Sequence, residues 1–297
     1  MVRLLHIGLT VHEDRWLSKE LRKRTIYAEI NPNQSDSDIK ELFNYHKPEL
    51  VFMQIQQEKV IGLDLIRYMA SKAVLINWSG DVRDPLPSWF YDFDPYCVTC
   101  FSNMRDVKQI GGEFLQIGID SEIFKNRNQS IYTNDLVFMG NRSMCFPLSS
   151  YRDQAIEYLR KHFNISVYGG WPGAKDNLMN DQYEESNVYS RSKIAISISH
   201  FNIERYFSDR LLRAMGSGCF TISHYYEGIE IDFEVGKHLE TFKDFGELKE
   251  KCNYYLAHED ERNKIAMAGC KHIHDKFAIE NMVDDILKIY EKNKPIH

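Results

Sequence analysis

Short apolar runs alternate with amphipathic stretches from one end of the chain to the other. Runs at residues 2–9, 26–30, 50–55, 74–78, 97–101 and 114–117 are short and nearly continuous, the pattern of strands buried on both faces. Between them, residues 16–24, 36–46, 61–71 and 104–110 carry helical spacing of apolar positions. Strand and helix in strict alternation predict a parallel sheet covered on both sides. Residues 1–119 are therefore expected to form one Rossmann-like domain.

A polar stretch without helical or strand period follows and serves as a linker over 120–133. The alternation then restarts. Strands are predicted at 136–140, 165–168, 194–199 and 219–223, with helices at 150–162, 183–192 and 208–216. These make a second Rossmann-like domain over 134–277. The tail from 245 to 293 is helical almost throughout, with Gly269 as the expected break. Two such parallel-sheet α/β domains are expected to face each other across a cleft. Ligands in these folds bind beyond the carboxyl ends of the strands, so the residues just after each strand are the ones to inspect.

Composition narrows the class without choosing the chemistry. The 297 residues are 43% hydrophobic, 27% charged and 13% aromatic, which excludes disorder. A net charge of −6 supplies no global attraction for nucleic acid or an anionic bilayer. No run approaches the roughly 20 apolar residues that span a membrane. The N-terminus reads as a first strand rather than a signal peptide, so the expected location is cytoplasmic. The six cysteines include a Cys97-x-x-Cys100 pair with no second pair to complete a metal site, and they read as buried small hydrophobes. Cys270-x-His272-x-His274 reads as a solvated helix face.

Several strand-end segments carry candidate chemistry. Gly140, Asn141 and Arg142 follow a strand, where glycine lets backbone approach a ligand and arginine can hold phosphate oxygens. Gly170 and Trp171 lie in a second such loop; the indole either stacks on a base or covers the core edge. The richest segment runs from His200 through Asn202, Glu204, Arg205, Ser208, Asp209 and Arg210 to Gly218. Ser208 is a suitable N-cap, and the free N–H groups of the helix behind it make a natural diphosphate site. Arg205 and Arg210 would add charge-assisted hydrogen bonds. Glu227 and Gly228 stand at the next strand end. In the first domain, Asp81 lies in a polar loop, as a general base or as a turn residue with Gly80. His12, Glu13 and Asp14 touch a ligand or simply begin a helix. The aromatics Trp78, Trp89, Phe90 and Tyr91 stack on a ligand ring or edge the core.

Residues 208–223, Ser-Asp-Arg-Leu-Leu-Arg-Ala-Met-Gly-Ser-Gly-Cys-Phe-Thr-Ile-Ser, followed by Glu-Gly-Ile-Glu at 227–230, resemble the C-terminal half of GT-B glycosyltransferases. They are similar to the group 1-like family that includes the spore-maturation-type enzymes. The resemblance is clear over 136–277 and only architectural over 1–119. It implies that the C-terminal domain binds a nucleotide-diphospho-sugar, with a UDP-sugar favoured and no metal or other cofactor required. It also implies an acceptor-binding N-terminal domain and a final helix within 278–297 that crosses back to it. One departure matters: retaining relatives carry two glutamates eight positions apart, where this chain has Arg205 and Arg213. Glu204 stands one position off and Glu227 near enough to substitute in ribose binding, so the familiar retaining site does not simply transfer, and retaining or inverting stereochemistry is open.

Three functions follow. The first is transfer of a sugar to a hydroxyl on a polysaccharide, a protein or a hydroxymethylated nucleic acid, with Arg210 supporting the leaving diphosphate and Asp81 as base. The second is a binding or regulatory module that has lost catalysis. The third, a dinucleotide oxidoreductase, lacks its Gly-x-Gly-x-x-Gly fingerprint after the first strand. The oligomeric state is open.

Overall fold

The computed structural model describes the whole chain except residues 9–13, 59, 128–130, 176–180 and 296–297. It divides into two compact units, one of residues 1–118 with 279–297 and the other of residues 119–278.

In the first unit the order is β1 Arg3–Ile7, α1 Asp14–Arg24, β2 Ile26–Ile30, α2 Asp36–His46, β3 Leu50–Met53, α3 Leu63–Ala70, β4 Val74–Ser79, α4 Trp89–Phe93, β5 Val98–Phe101, α5 Met104–Ile110 and β6 Glu113–Phe114. The strands form a six-stranded sheet in the order β2-β1-β3-β4-β5-β6, with every pairing parallel. Core layers on both faces of the sheet bury the inner strands β1, β3, β4 and β5, while the edge strands β2 and β6 are only partly covered. The last helix of the chain, α12 Ile279–Asn293, belongs to this unit. Its stripe of Ile279, Met282, Val283, Ile286, Ile289 and Tyr290 packs with Leu4, Leu17, Leu21 and Phe52. Trp89, Phe90 and Phe93 bury α4 in the opposite core layer, and only Tyr91 of that cluster stays half-exposed. The aromatics at 78, 89 and 90 are thus core side chains.

The second unit runs β7 Asn134–Met139, α6 Ser149–His162, β8 Ile165–Tyr168, α7 Gln182–Ser190, β9 Ser192–Ser197, α8 Asp209–Gly216, β10 Phe220–His224, α9 Ile229–Asp232, β11 Glu240–Phe242, α10 Phe245–Ala257 and α11 Glu259–Lys276. Its five parallel strands lie in the order β11-β10-β9-β7-β8. Both units are thus α/β, each built on a parallel sheet.

Two readings of the tail need correction. Gly269 does not break a helix; it lies buried inside α11. A Cβ there would stand 2.2 Å from the carbonyl oxygen of His238, so the glycine is needed for close approach of backbone. The breaks fall instead at His258 and at Phe277–Ala278. Nor is 270–274 a solvated face. Cys270 is buried with Sγ donating to the Gly216 carbonyl, His274 Nε2 lies 3.0 Å from that same oxygen, and His272 Nε2 is bonded to Asp232 O. Cys270 and His274 tie α11 to the end of α8, and His272 ties it to the end of the short helix at Ile229–Asp232. The polarity that read as solvation is spent on carbonyls that the helix ends leave open.

Candidate functional site

Strand order reverses direction in the second sheet between β7 and β9, because β8 lies to one side of β7 and β9-β10-β11 to the other. The loops leaving these two strands diverge, and such a switch point is where open α/β sheets hold ligands. Gly140 follows β7 and His200 follows β9.

Arg152 joins them. It stands in the first turn of α6, in the buried stripe Arg152, Ala155, Ile156, Leu159 that otherwise faces the core. Its side chain is fully buried. Nη1 donates to the carbonyl oxygen of Asn141 at 3.1 Å and lies 2.7 Å from the ring nitrogens of His200. The guanidinium also rests against the faces of Phe138 and Trp171. Nε and Nη2 have no partner, and no carboxylate forms an ion pair with this arginine among the described residues. Burial, and then the neighbouring Arg210, push its pKa down to about 9, which still leaves the cation intact at neutral pH. A buried guanidinium with open donors is expensive unless an anion completes it.

Arg210, in the first turn of α8, approaches the same glycine. A Cβ on Gly140 would lie 2.7 Å from Arg152 Nη2 and 3.3 Å from Arg210 Nε. Gly169, at φ +88°, is as tightly placed, since its Cβ would meet Gly140 O at 2.7 Å. Burial first, then Arg152 and Arg210, hold the His200 pKa down to about 3, so the imidazole is neutral. Two arginines, a neutral histidine, glycine backbone and the start of α8 thus converge at one place.

The other expected residues divide around this centre. Trp171 is buried, its Nε1 donating to Gly140 O at 2.6 Å and its ring set edge-on to Phe138. Its polar edge and its body are both spent within the unit. Gly170 is exposed beside the backbone of Arg142. The Arg142 guanidinium pairs with Asp153 at 2.7 Å. Ser208 sits at the N-cap of α8 with extended backbone but makes no side-chain cap bond. Asp209 supplies a carboxylate there instead, accepting from Arg210 N at 2.9 Å and from Arg213 Nη2 at 2.7 Å. Asn141 and Asn202 are exposed.

Arg205, Glu227 and Gly228 form a separate group. Arg205 takes the left-handed conformation at φ 53° and donates through Nε and Nη2 to both oxygens of Asp232, at 2.7 and 2.8 Å. Its backbone N–H bonds Glu227 O at 2.7 Å, beside Gly228 at φ +82°. The charge expected on a diphosphate is therefore spent on Asp232. Arg213 is likewise turned inward, 3.1 Å from Glu185 Oε2.

Arg152 is the residue that reading the chain missed. Its signal was present: a cation at the 152, 155, 156, 159 spacing of an apolar stripe.

In the first unit, Asp81 follows β4 with a largely exposed side chain, 3.6 Å from Arg83 Nη2. The amides behind it are satisfied. Asn77 bonds the backbone of Ile55 in both directions, and the Asn103 side chain caps α5 at Asp106 N. His12 and Glu13 lie outside the described residues, as does the side chain of Asp14. Cys97 and Cys100 are buried, their thiols pushed up by burial, that of Cys97 to about 12. No helix among the described residues is long and apolar enough to cross a membrane.

Residues 152–288 match the family model described as glycosyl transferase-like. No curated protein sequence matches the chain. Among solved structures, a glycosyltransferase from Rickettsia africae superposes with a TM-score of 0.70 at 13% identity, covering 97% of both chains. Anabaena Alr3699/HepE, solved with UDP and glucose, gives 0.67 at 11% identity, covering 98% of this chain and 100% of that one. Sucrose-phosphate synthase from Thermosynechococcus elongatus gives 0.64 at 9% identity over 97% and 98%.

Proposed function

We propose that this chain is a glycosyltransferase of GT-B architecture that binds a nucleoside-diphosphate sugar in its second unit and transfers the sugar to a hydroxyl acceptor. One observation carries the reading: among the described residues, Arg152 is buried with two open nitrogens and no carboxylate, beside Arg210 and glycine backbone at the switch point. An anion that bridges Arg152 and Arg210 would satisfy both and remove their mutual repulsion. A diphosphate also offers oxygens to the open N–H groups at the start of α8. The same contacts strengthen as negative charge develops on the leaving diphosphate, which is how they would favour transfer over mere binding.

UDP is the favoured nucleotide. The support is that a structural neighbour of matching length was solved with UDP and glucose. Glu227 and Gly228, fixed by the Arg205–Asp232 pair, are assigned to the nucleoside end of the donor. Asp81 is assigned as the base that takes the acceptor proton, an inverting role. Acceptors of this chemistry are hydroxyls of polysaccharide, protein or hydroxymethylated nucleic acid.

Calorimetric titration with UDP-glucose tests the donor site. Arg210→Ala removes a charge-assisted contact of about 1.5–3 kcal/mol and should weaken binding roughly 10- to 100-fold. Unchanged affinity in both Arg210→Ala and Arg152→Met would place the donor elsewhere.

A further inference from the structure

Behind the two binding arginines lies a second layer of charge. Glu185 on α7 is only 4% exposed, and its Oε2 accepts from Arg213 Nη1 at 3.1 Å. Arg213 reaches on to Asp209 Oδ2 at 2.7 Å. Asp209 Oδ1 accepts from the backbone N–H of Arg210 and lies 3.9 Å from Arg210 Nη1. A continuous chain of four ionisable side chains therefore runs from the interior of α7 to the arginine at the strand ends. The ionisable groups facing Glu185 are Arg213, Asp209 and Arg210 from α8 and Tyr189 from its own helix. Tyr189 is fully buried, and burial holds its phenol neutral.

We propose that Glu185 is a positioning residue that sets the strength of the diphosphate site through Arg213 and Asp209, so that donor binding is coupled to uptake of a proton by Glu185. The inference rests on the donor reading given above.

The argument is one of charge. With Glu185 ionised, the carboxylates of Glu185 and Asp209 offset Arg210 and Arg213, and Arg152 alone is uncompensated. With Glu185 protonated, the surplus rises by one positive charge. Arg213 then leans more strongly on Asp209, and Arg210 is released toward an incoming anion. Burial pushes the Glu185 carboxyl up to about 7, against the attraction of Arg213, so both states are populated near neutrality. A bound diphosphate places negative charge beside Arg210 and favours the protonated form. By reciprocity, protonation must then favour the diphosphate.

UDP-glucose is the probe, because its diphosphate carries no group that titrates between pH 6 and 8.5. Calorimetry in buffers of differing ionisation enthalpy reads affinity and proton exchange together. For the wild type, affinity should fall at least about fivefold from pH 6 to 8.5, with proton uptake near pH 7. Glu185→Gln should bind as tightly as the pH 6 wild type across the range and take up no proton. Glu185→Asp should keep a pH-dependent affinity. His200, the other titratable group on these arginines, sits far lower at about 3 and leaves Glu185 as the group that takes up the proton near pH 7, so uptake surviving in Glu185→Gln would belong to another group and would overturn the proposal. Parallel pH profiles in wild type and Glu185→Gln would overturn it while leaving the donor site standing. If the Gln variant does not fold, absence of uptake by the wild type has the same force. Failure of the wild type to bind UDP-glucose at any pH would remove the donor reading itself, and this inference with it.

Discussion

The two units build parallel sheets of the same kind and finish their strand ends in opposite ways. In the second unit, the backbone beyond β7 and the histidine beyond β9 meet one buried, incompletely bonded cation, Arg152. In the first, the buried groups beyond β3, β4 and β5 include neutral side chains that bond backbone, such as Asn77 and Asn103, while the charges near Asp81 are paired at the surface. A preformed cationic pocket carries its electrostatic cost before the ligand arrives and recovers it on binding. Buried amides already bonded, such as Asn77 and Asn103, and exposed acids carry little such cost and select little by charge. On the proposed function, one unit is built for an anion and the other for contacts that vary with the acceptor.

The contrast breaks most sharply at the level of rate. Asp81→Asn should lower kcat by about 10²–10⁴ while leaving the UDP-glucose Kd unchanged, because a general base acts on transfer and not on donor binding. A shifted Kd with intact kcat would reverse the assignment. Next comes Arg152→Met. It should abolish measurable UDP-glucose binding and yet raise the stability of the ligand-free protein by about 1–3 kcal/mol, since it removes a buried charge with unpaired donors. A lower melting temperature in that variant would make Arg152 a structural brace instead of a ligand group. A smaller effect separates backbone from site. Gly112→Ala in the first unit and Gly269→Ala in the second each push a methyl group against a carbonyl oxygen, at 2.1 and 2.2 Å. Each should cost about 1–3 kcal/mol in denaturant unfolding without altering the residual enzyme's donor affinity.

The mildest expectation concerns pH. The folded-state pKa of Glu185 is raised above its unfolded value, so folding takes up a proton between the two. Its contribution to stability is full below the unfolded pKa near 4.5 and is lost as pH rises through about 7. Glu185→Gln should flatten this part of the stability profile. An identical slope in the variant would assign the titration to another group.

Much of the fold was legible in the chain because burial and periodicity are local. The helices at 36–46 and 104–110 and the strand at 165–168 begin and end where the apolar spacing begins and ends. Capping chemistry helps: Ser35 with Asp38 forms a capping box, and Gly111 closes α5 at φ +86°. Less legible were short elements whose identity depends on neighbours. Strand β11 has three residues and exists because β10 offers it an open edge. Helix α4 is five residues whose aromatics are ordered by the core they enter.

For the proposed site, the sequence by itself determined which residue types gather after the strands: the glycines at 140, 169 and 228, the arginines at 205 and 210, and the helix start at 208–210. It determined the parallel architecture as well, since that is written in the alternation of period. Which cations remain open to a ligand was decided only by tertiary structure. Arg205 and Arg142 look equal to Arg210 along the chain, yet Asp232 and Asp153 neutralise them, 27 and 11 residues away. Arg152 looks like one more helix residue until α6 docks and leaves its guanidinium buried without a carboxylate. The reason is physical: side-chain type is local, whereas pairing and desolvation depend on what the fold brings within a few ångströms.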